Sequence, residues 1–151
     1  MRILYINKYF HIVGGVEKYF FSLAELMKEK GHKIAFFSMT DQQNLHSDWN
    51  RYFVSNVSFN ENSFSGRLRL LVRIFYSVEA RQKLKAIIAD FKPDIIHIHD
   101  IYHQISPSII PEIDKSGIPM VQTLGNYHLI SPNYSLFHSG KICEICKQKK
   151  S

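Results

Sequence analysis

Residues 9–26, "YFHIVGGVEKYFFSLAEL", hold the pattern from which the architecture follows: an apolar segment, two adjacent glycines and a helical repeat. Apolar side chains recur at helical spacing over residues 16–30, namely at Val16, Phe20, Leu23 and Met27. Because Gly14 and Gly15 lack a Cβ, the backbone there can approach a ligand closely. The N–H groups at the start of the helix suit a phosphate or carboxylate. A merely tight turn is the alternative explanation.

The segments that flank this helix predict a βαβ unit. "RILYIN", residues 2–7, fits a buried strand, and "KIAFFSM", residues 33–39, fits a second one. Gly31 lies where a glycine commonly ends a helix. A strand, a glycine turn, a helix and a strand within residues 2–39 form one βαβ unit.

The rest of the chain continues the alternation of strands and helices. Residues 40–65 are polar and irregular, with a strand candidate at 52–59, and residues 67–91 predict a second long helix. "DIIHIHD", residues 94–100, predicts a third clear strand, residues 106–115 a helix, and "MVQTL", residues 120–124, a fourth strand. This order predicts a doubly wound, mainly parallel sheet of the Rossmann-like α/β class.

Composition limits the classes of function without selecting one. The 151 residues are 45% hydrophobic, which fits one globular domain, and the net charge is +6 with a pI near 9.3. That charge permits nucleic acid, an anionic membrane or a phosphorylated ligand as partner. The N-terminus lacks the apolar core of a signal peptide and no apolar run approaches a bilayer span, so we expect a cytoplasmic protein.

The helix predicted at residues 67–91 is basic on its outer faces. Its cations are Arg67, Arg69, Arg73, Arg81, Lys83 and Lys85. They indicate either a solvated outer face, which base rates favour, or contact with an acidic membrane. No basic-aromatic motif of the RNA-recognition kind is present, so nucleic acid is not an expected partner.

Polar and glycine residues cluster where three of the predicted strands end. They are Gly14 and Gly15 after the first strand, His99, Asp100 and His103 after the third, and Gly125, Asn126 and His128 after the fourth. Ligands of such sheets bind beyond the carboxyl ends of the strands. We therefore expect these three loops to converge on one crevice, which favours a functional role for the glycine pair.

Other motifs are absent or incomplete. "HIHDIYH", residues 97–103, places His97 and His99 on one face of a strand but does not match H-x-H-x-D-H, so no metal is expected there. Glu17 and Glu25 match E-x7-E only by coincidence, because both lie on the first helix, and Glu25 is expected to be solvated. No dinucleotide-binding, P-loop or hydrolase-elbow motif occurs, and no cofactor is expected.

The cysteine pair Cys143 and Cys146, in "CEIC", lies near the end of the sequence. The pair indicates either two surface thiols or half of a zinc site completed by residues beyond Ser151.

Three segments resemble the N-terminal domain of the GT-B glycosyltransferases of family 4, a retaining group. They are "GGVEKYFFSLAELMKEKGHKIAFFS", "KPDIIHIHDIYHQISPSI" and "TLGNYHLISPNYSLFHSGKICEIC", at residues 14–38, 92–109 and 123–146. The resemblance covers nearly the whole chain except residues 40–65. It implies that residues 1–151 are one Rossmann-like domain on the acceptor side of a two-domain cleft. The nucleotide-sugar domain would then be absent and the polypeptide truncated.

The resemblance also implies roles for particular residues. Gly14, Gly15 and Val16 would form the loop near the donor phosphates and the acceptor, and His99, Asp100 and Tyr102 would line the acceptor side. The family usually has histidine where this chain has Gly125, whereas Asn126, Tyr127 and His128 match the positions after it. That departure leaves the catalytic residues unassigned, and His128 is either a partial substitute or a packed loop residue.

The resulting functional expectation is half of a glycosyltransferase. The complete enzyme would transfer a sugar from a nucleotide-sugar to a glycan or lipid-linked acceptor in polysaccharide biosynthesis, at the cytoplasmic face of the membrane. The isolated chain is expected to be inactive, because sugar transfer needs both substrates positioned with water excluded. The alternative is a stand-alone module that binds a phosphorylated ligand or a membrane surface without chemistry.

Overall fold

The computed structural model describes residues 1–56, 74–103, 105–131 and 134–144. The elements of the main body are β1 (Arg2–Ile6), α1 (Gly15–Glu29), β2 (Lys33–Phe37), α2 (Val78–Phe91), β3 (Ile95–Ile98), α3 (Ile110–Ser116) and β4 (Met120–Gln122). Short 3-10 helices cover Asn50–Tyr52 and Pro107–Ile109, and a small antiparallel hairpin joins β5 (Phe137–His138) to β6 (Lys141–Ile142).

The four main strands form one parallel sheet in the order β2-β1-β3-β4. In register, Leu4 of β1 pairs with Ala35 of β2 on one side and with Ile96 of β3 on the other. β2 therefore lies on one side of β1, and β3, which comes later in the sequence, lies on the other side. The loops after β1 and β3 diverge at this switch point, where open α/β sheets bind ligands.

Helices cover both faces of the sheet. On one face, Ile3 and Tyr5 of β1 belong to a buried hydrophobic cluster that also contains Phe20 and Ala24 of α1. The alternate residues Leu4 and Ile6 belong to the second cluster, with buried side chains of α2 and α3. Side chains that alternate along a strand and are buried on both faces characterise a parallel sheet between helical layers. The predicted doubly wound, mainly parallel Rossmann-like fold is confirmed.

Helix α1 forms nearly as predicted. Gly14 is its N-cap, and at the other end the His32 N–H donates to Met27 O at 3.0 Å while the Gly31 N–H donates to Lys28 O at 2.8 Å. This is a Schellman motif, with Gly31 in the left-handed region at φ 80°. The helix ends at Glu29, one residue before the predicted end.

The prediction of one continuous helix over residues 67–91 is wrong at its centre. Residues 67–73 lie outside the described residues, and the helical geometry of Ile74 and Phe75 is interrupted before α2 begins at Val78. Ser77 is the N-cap: its hydroxyl accepts from the Ala80 N–H at 3.2 Å, and a serine at this position starts a new helix. Phe75, predicted on the apolar face, is 73% exposed.

Two further predictions need adjustment. The strand candidate at 52–59 is only an isolated bridge between Met39 and Val54, preceded by the 3-10 helix Asn50–Tyr52, and residues 57–59 lie outside the described part. The helix predicted at 106–115 is a 3-10 turn followed by α3. The fourth strand is confirmed as the short β4.

The described cations of α2 are engaged in ion pairs rather than simply solvated. The Arg81 guanidinium and the Lys85 ammonium both contact the Glu112 carboxylate of α3, and Lys83 pairs with Glu79 at 3.1 Å. The bonds from Arg81 and Lys85 lower the pKa of Glu112 to about 2. No helix among the described residues is both long and apolar enough to cross a membrane.

Candidate functional site

The loops after β1 and β3 are bonded to each other at the switch point. The side-chain oxygen of the buried Asn7 accepts from the Asp100 N–H at 3.1 Å, and its amide donates to Tyr9 O at 2.9 Å. The Lys8 N–H donates to Asp100 O at 2.6 Å. Two residues that directly follow β1 thus fix the backbone that directly follows β3.

The Asp100 carboxylate joins three loops. Its Oδ2 lies 2.9 Å from Lys8 Nζ and accepts from Asn126 Nδ2 at 3.3 Å, while Oδ1 accepts from the Tyr102 N–H at 3.3 Å. The Asp100 side chain is only 8% exposed, so this ion pair is shielded from water. Asp100 therefore holds the loops after β1, β3 and β4 together.

The start of α1 lies at the same edge of the sheet. Gly14 has no side chain to cap the helix, and its own N–H donates to Oε2 of the buried Glu17 at 2.9 Å. A Cβ added to Gly15 would meet no described atom within 4 Å, so the described residues leave the space beside the first turn open. Glu25, by contrast, is 66% exposed and pairs with Lys28 at 3.4 Å, which confirms that it is a solvated helix residue.

A cavity of about 260 Å³ lies between the start of α1 and the ends of β3 and β4. It is lined by Gly15, Val16, Tyr19, His99, Thr123 and Gly125. A Cβ added to Gly125 would lie 2.8 Å from Cγ2 of Val16, so the loop after β4 passes close to the helix start. We call this space the His99 cavity.

His99 is buried and uncharged. It is 2% exposed, and neither ring nitrogen has a hydrogen-bond partner in the described part of the chain. Burial, with a smaller contribution from His97, lowers the pKa of His99 to about 4. The imidazole is therefore neutral at pH 7 and offers one donor and one acceptor.

His97 lies beside His99 on the same face of β3, as the strand period predicts. The two rings stack at 4.4 Å between centroids, and His97 Nε2 lies 2.8 Å from Thr123 Oγ1. Burial lowers the pKa of His97 as well. His97 thus fixes the hydroxyl of Thr123 at the wall of the His99 cavity.

An aromatic and imidazole cluster forms the outer wall of the crevice. Tyr102 stacks on His128 at 4.6 Å, His128 stacks on Tyr134 at 6.0 Å, and the Nε2 atoms of His103 and His128 are 3.3 Å apart. Burial and the nearby His128 lower the pKa of His103, and burial together with Asp100 raises the pKa of Tyr102. His103 adopts a left-handed backbone with φ 64°, which is uncommon for a residue other than glycine.

The structure brings the three predicted loops together at one edge of the sheet. Gly15, Val16, His99 and Gly125 line the His99 cavity, Asp100 and Asn126 bond beside it, and Tyr102 and His128 form the outer wall. Tyr127 turns to a neighbouring cavity of about 390 Å³ with Leu124, Leu129 and Ile130.

Sequence reasoning missed Asn7, Lys8, Tyr19 and Thr123. The first two were detectable by the reasoning that found His99 and Asp100, since both pairs directly follow a parallel strand.

The described residues contain no group of three or more histidine, cysteine, aspartate or glutamate side chains arranged to hold a metal ion. Cys143 carries a free thiol, and Cys146 lies outside the described part. The zinc half-site stays a prediction.

The sequence matches the family model described as Glycosyltransferase Family 4 over residues 13–136. This chain belongs to glycosyltransferase family 4. The matched range begins just before the glycine pair and includes the described loops after β3 and β4. Glycosyltransferases as a class move a sugar from a donor to an acceptor.

A relative from Klebsiella pneumoniae, "Uncharacterized 42.6 kDa protein in cps region", is 29% identical over 154 residues. The match covers 93% of this chain and 40% of the relative. The family 4 chain therefore spans about two fifths of the length of the relative that it matches.

Proposed function

We propose that this family 4 chain is the acceptor-side, N-terminal half of a GT-B enzyme that transfers a hexose, with retention of configuration, from a nucleotide-sugar. The observation that supports this most is the meeting of three loops, after β1, β3 and β4, around the His99 cavity and the Asp100 carboxylate. Because this edge lies at the switch point of a parallel sheet, it is where a substrate would bind.

Some residues at this edge of the sheet hold the loops together, and others line the cavity that a substrate would enter. Asp100 uses its carboxylate oxygens on Lys8, Asn126 and the Tyr102 N–H, so it positions the loops. His99 lines the cavity with both ring nitrogens buried and without a hydrogen-bond partner among the described residues, so its neutral ring forms part of the wall that a bound sugar would contact. Gly15 leaves the space above α1 open, where N–H groups at the helix start favour a donor phosphate.

A single wall of a cleft cannot carry out the transfer. The reaction requires the acceptor hydroxyl to be held against the donor carbon with water excluded, and a second domain would supply the nucleotide-sugar. We therefore propose that the described half binds acceptor and is inactive on its own.

We further propose that the acceptor is a glycan or a lipid-linked glycan in polysaccharide biosynthesis, used on the cytoplasmic side of a membrane. The relative in a cps region supports the pathway class. Direct docking on an anionic membrane through α2 has less support, because Arg81, Lys83 and Lys85 are each paired with a glutamate.

The test is Gly15→Val in the complete enzyme. The new side chain enters open space, so the fold should persist while the His99 cavity is narrowed. We expect loss of hexose transfer, measured as nucleotide release from a panel of UDP- and GDP-hexoses, with an unchanged melting temperature. Glu25→Val, on the exposed face of the same helix, is the matched control and should retain transfer. Normal turnover by a folded Gly15→Val enzyme would refute the assignment.

A further inference from the structure

Three side chains at the outer wall of the crevice have nearly parallel rings. Tyr102 stacks on His128 with 4.6 Å between centroids and 21° between the ring planes, and His128 stacks on Tyr134 at 6.0 Å and 16°. Offset stacking of aromatic rings occurs at centroid distances of about 4.5–7 Å. The rings come from the loop after β3, the loop after β4 and the segment before β5, so they meet only in the folded chain. We call these three rings the aromatic platform.

Two members of the aromatic platform are held by the network around Asp100. The Tyr102 N–H donates to Asp100 Oδ1 at 3.3 Å, and the His128 N–H donates to Asn126 Oδ1 at 3.0 Å. The Asn126 amide in turn donates to Asp100 Oδ2 at 3.3 Å. Both ring-bearing residues are half-buried. These rings are therefore in place before a ligand arrives, and a preorganised surface loses little conformational freedom on binding.

Tyr134, the third member, is accessible and yet held in position. Its side chain is 59% exposed. Its N–H donates to Ser131 O at 3.0 Å, and its own carbonyl accepts from the Tyr127 N–H at 2.9 Å. The Tyr134 backbone lies in the left-handed region at φ 49°, which is uncommon for a residue other than glycine. Residues in such conformations cluster at ligand-binding and active sites.

A sugar ring suits an exposed aromatic side chain beside a polar crevice. Axial C–H bonds give a pyranose an apolar face, while its hydroxyls project from the rim. Stacking on Tyr134 would remove that apolar face from water and leave the hydroxyls hydrated, so no polar group would be buried without a partner. Tyrosine supplies a large, rigid and amphipathic contact surface at a low cost in conformational entropy.

We propose that the exposed Tyr134 ring of the aromatic platform is a stacking subsite for a pyranose unit of a saccharide acceptor. This inference rests on the proposed function, since it assumes that the crevice binds an acceptor. It goes beyond that function by adding Tyr134 to the residues that contact the acceptor. It also requires that the acceptor present a sugar ring with an apolar face at this position.

Saturation-transfer NMR on the complete enzyme tests the subsite without requiring turnover. The tyrosine ring protons are irradiated in the presence of methyl β-D-glucopyranoside, whose ring hydroxyls are all equatorial, or of sorbitol, which carries hydroxyls but no ring. We expect saturable transfer to the axial C–H protons of the glucoside and no saturable transfer to sorbitol.

Three variants locate the effect. Tyr134→Leu keeps an apolar side chain but removes the ring, and it should weaken glucoside binding by about two- to tenfold, the range that one aromatic contact supplies. Tyr134→Phe keeps the ring and should bind as the wild type does. Tyr76→Leu, at an exposed tyrosine just before α2, is the matched control and should leave the binding unchanged. A melting curve for each variant separates loss of binding from loss of fold.

Equal binding by Tyr134→Leu and the wild type, equal transfer to sorbitol, or no transfer to the glucoside would each overturn the subsite. A soluble paramagnetic probe that leaves the Tyr134 ring signals unchanged in the sugar-free enzyme would overturn it as well, because another part of the polypeptide would then cover the ring.

The subsite and the proposed function fail in different ways. Glucoside binding that depends on Tyr134, in a protein that releases no nucleotide from any donor, would refute the proposed function and leave the subsite standing. Normal hexose transfer by Tyr134→Leu with an unchanged acceptor KM would refute the subsite and leave the proposed function standing.

Discussion

Adding one methyl group at Gly125 should destabilise this protein, because the space for it is already occupied. A Cβ at that position would lie 2.8 Å from Cγ2 and 3.3 Å from Cγ1 of Val16. Carbon atoms prefer separations of about 3.5–4.0 Å, so the closer contact is too short by roughly 0.7–1.2 Å. Gly125→Ala thus forces either the valine or the loop after β4 to move.

The free-energy cost of Gly125→Ala depends on whether the Val16 side chain or the loop after β4 can move. Val16 is in the first turn of α1, where a β-branched side chain has one strongly preferred rotamer, so it cannot simply rotate away. Overpacking typically costs about 1–3 kcal/mol. Gly125 lies on an exposed loop that can shift outward, so we expect the lower end of that range, about 1 kcal/mol. For a chain of this length that corresponds to a fall in melting temperature of roughly 2–4 °C.

A double-mutant cycle isolates the contact. Val16→Ala removes both Cγ atoms and leaves its Cβ 3.6 Å from the new Cβ, an ordinary contact. Urea unfolding of the wild type, both single variants and Gly125→Ala/Val16→Ala should therefore show that most of the loss is recovered, with a coupling of about 1 kcal/mol. Gly15→Ala is the matched control, since its Cβ meets nothing within 4 Å and alanine favours a helix.

Two outcomes would show that a clash between the new Cβ and Val16 is not the cause of the destabilisation. If the stability of Gly125→Ala lies within about 0.3 kcal/mol of the wild type, or if its cost is unchanged in the Val16→Ala background, the close approach of the loop after β4 to the start of α1 is not what fixes this edge.

Three further predictions concern the frame of the fold. Ser77→Ala removes the N-cap of α2 and should cost about 1 kcal/mol in urea unfolding, whereas Ser22→Ala, exposed within α1, should change stability by less than about 0.5 kcal/mol; equal effects would contradict the capping role. Gly31→Ala places a side chain at φ 80° and should lower the unfolding free energy by about 1 kcal/mol; an unchanged or higher value would show that the turn is not strained. The folded pKa of Glu112 is lowered to about 2 from an ordinary 4.5, chiefly by Arg81, so its stabilisation is complete above about pH 4.5 and is lost as the pH falls towards 2. Glu112→Gln should therefore flatten the acid limb of a pH–stability profile, and an identical limb in both proteins would rule this out.

Local sequence information was sufficient for the first βαβ unit. The helical repeat of residues 16–30, the strands on each side and the role of Gly31 depend on contacts between near neighbours, and the structure reproduces all three. The break before α2 was missed although Ser77 is a common capping residue. Its N–H also donates to Ser108 Oγ, 31 positions away, at 3.0 Å, and no local pattern contains that contact.

The candidate site, too, was predictable from the sequence only in part. That the loops holding Gly15, His99 and Gly125 would lie together followed from strand order alone, because parallel strands direct their carboxyl ends to one edge. That Asp100 would bond to Lys8, 92 positions earlier, did not follow, because this contact joins two loops that are far apart in the sequence.

The amino-acid sequence was enough to establish the class of each main element, their order and the edge of the sheet at which polar loops collect. These properties arise from short-range periodicity, glycine geometry and the handed connections of parallel strands. Only the folded chain shows which polar groups at that edge are hydrogen-bonded and which are buried without a described partner. Asp100 and His99 are consecutive in the sequence, yet the carboxylate bonds to neighbouring loops while the imidazole has no hydrogen-bond partner among the described residues. Burial and hydrogen bonding depend on side chains brought together from distant positions, and that information is held in the packing.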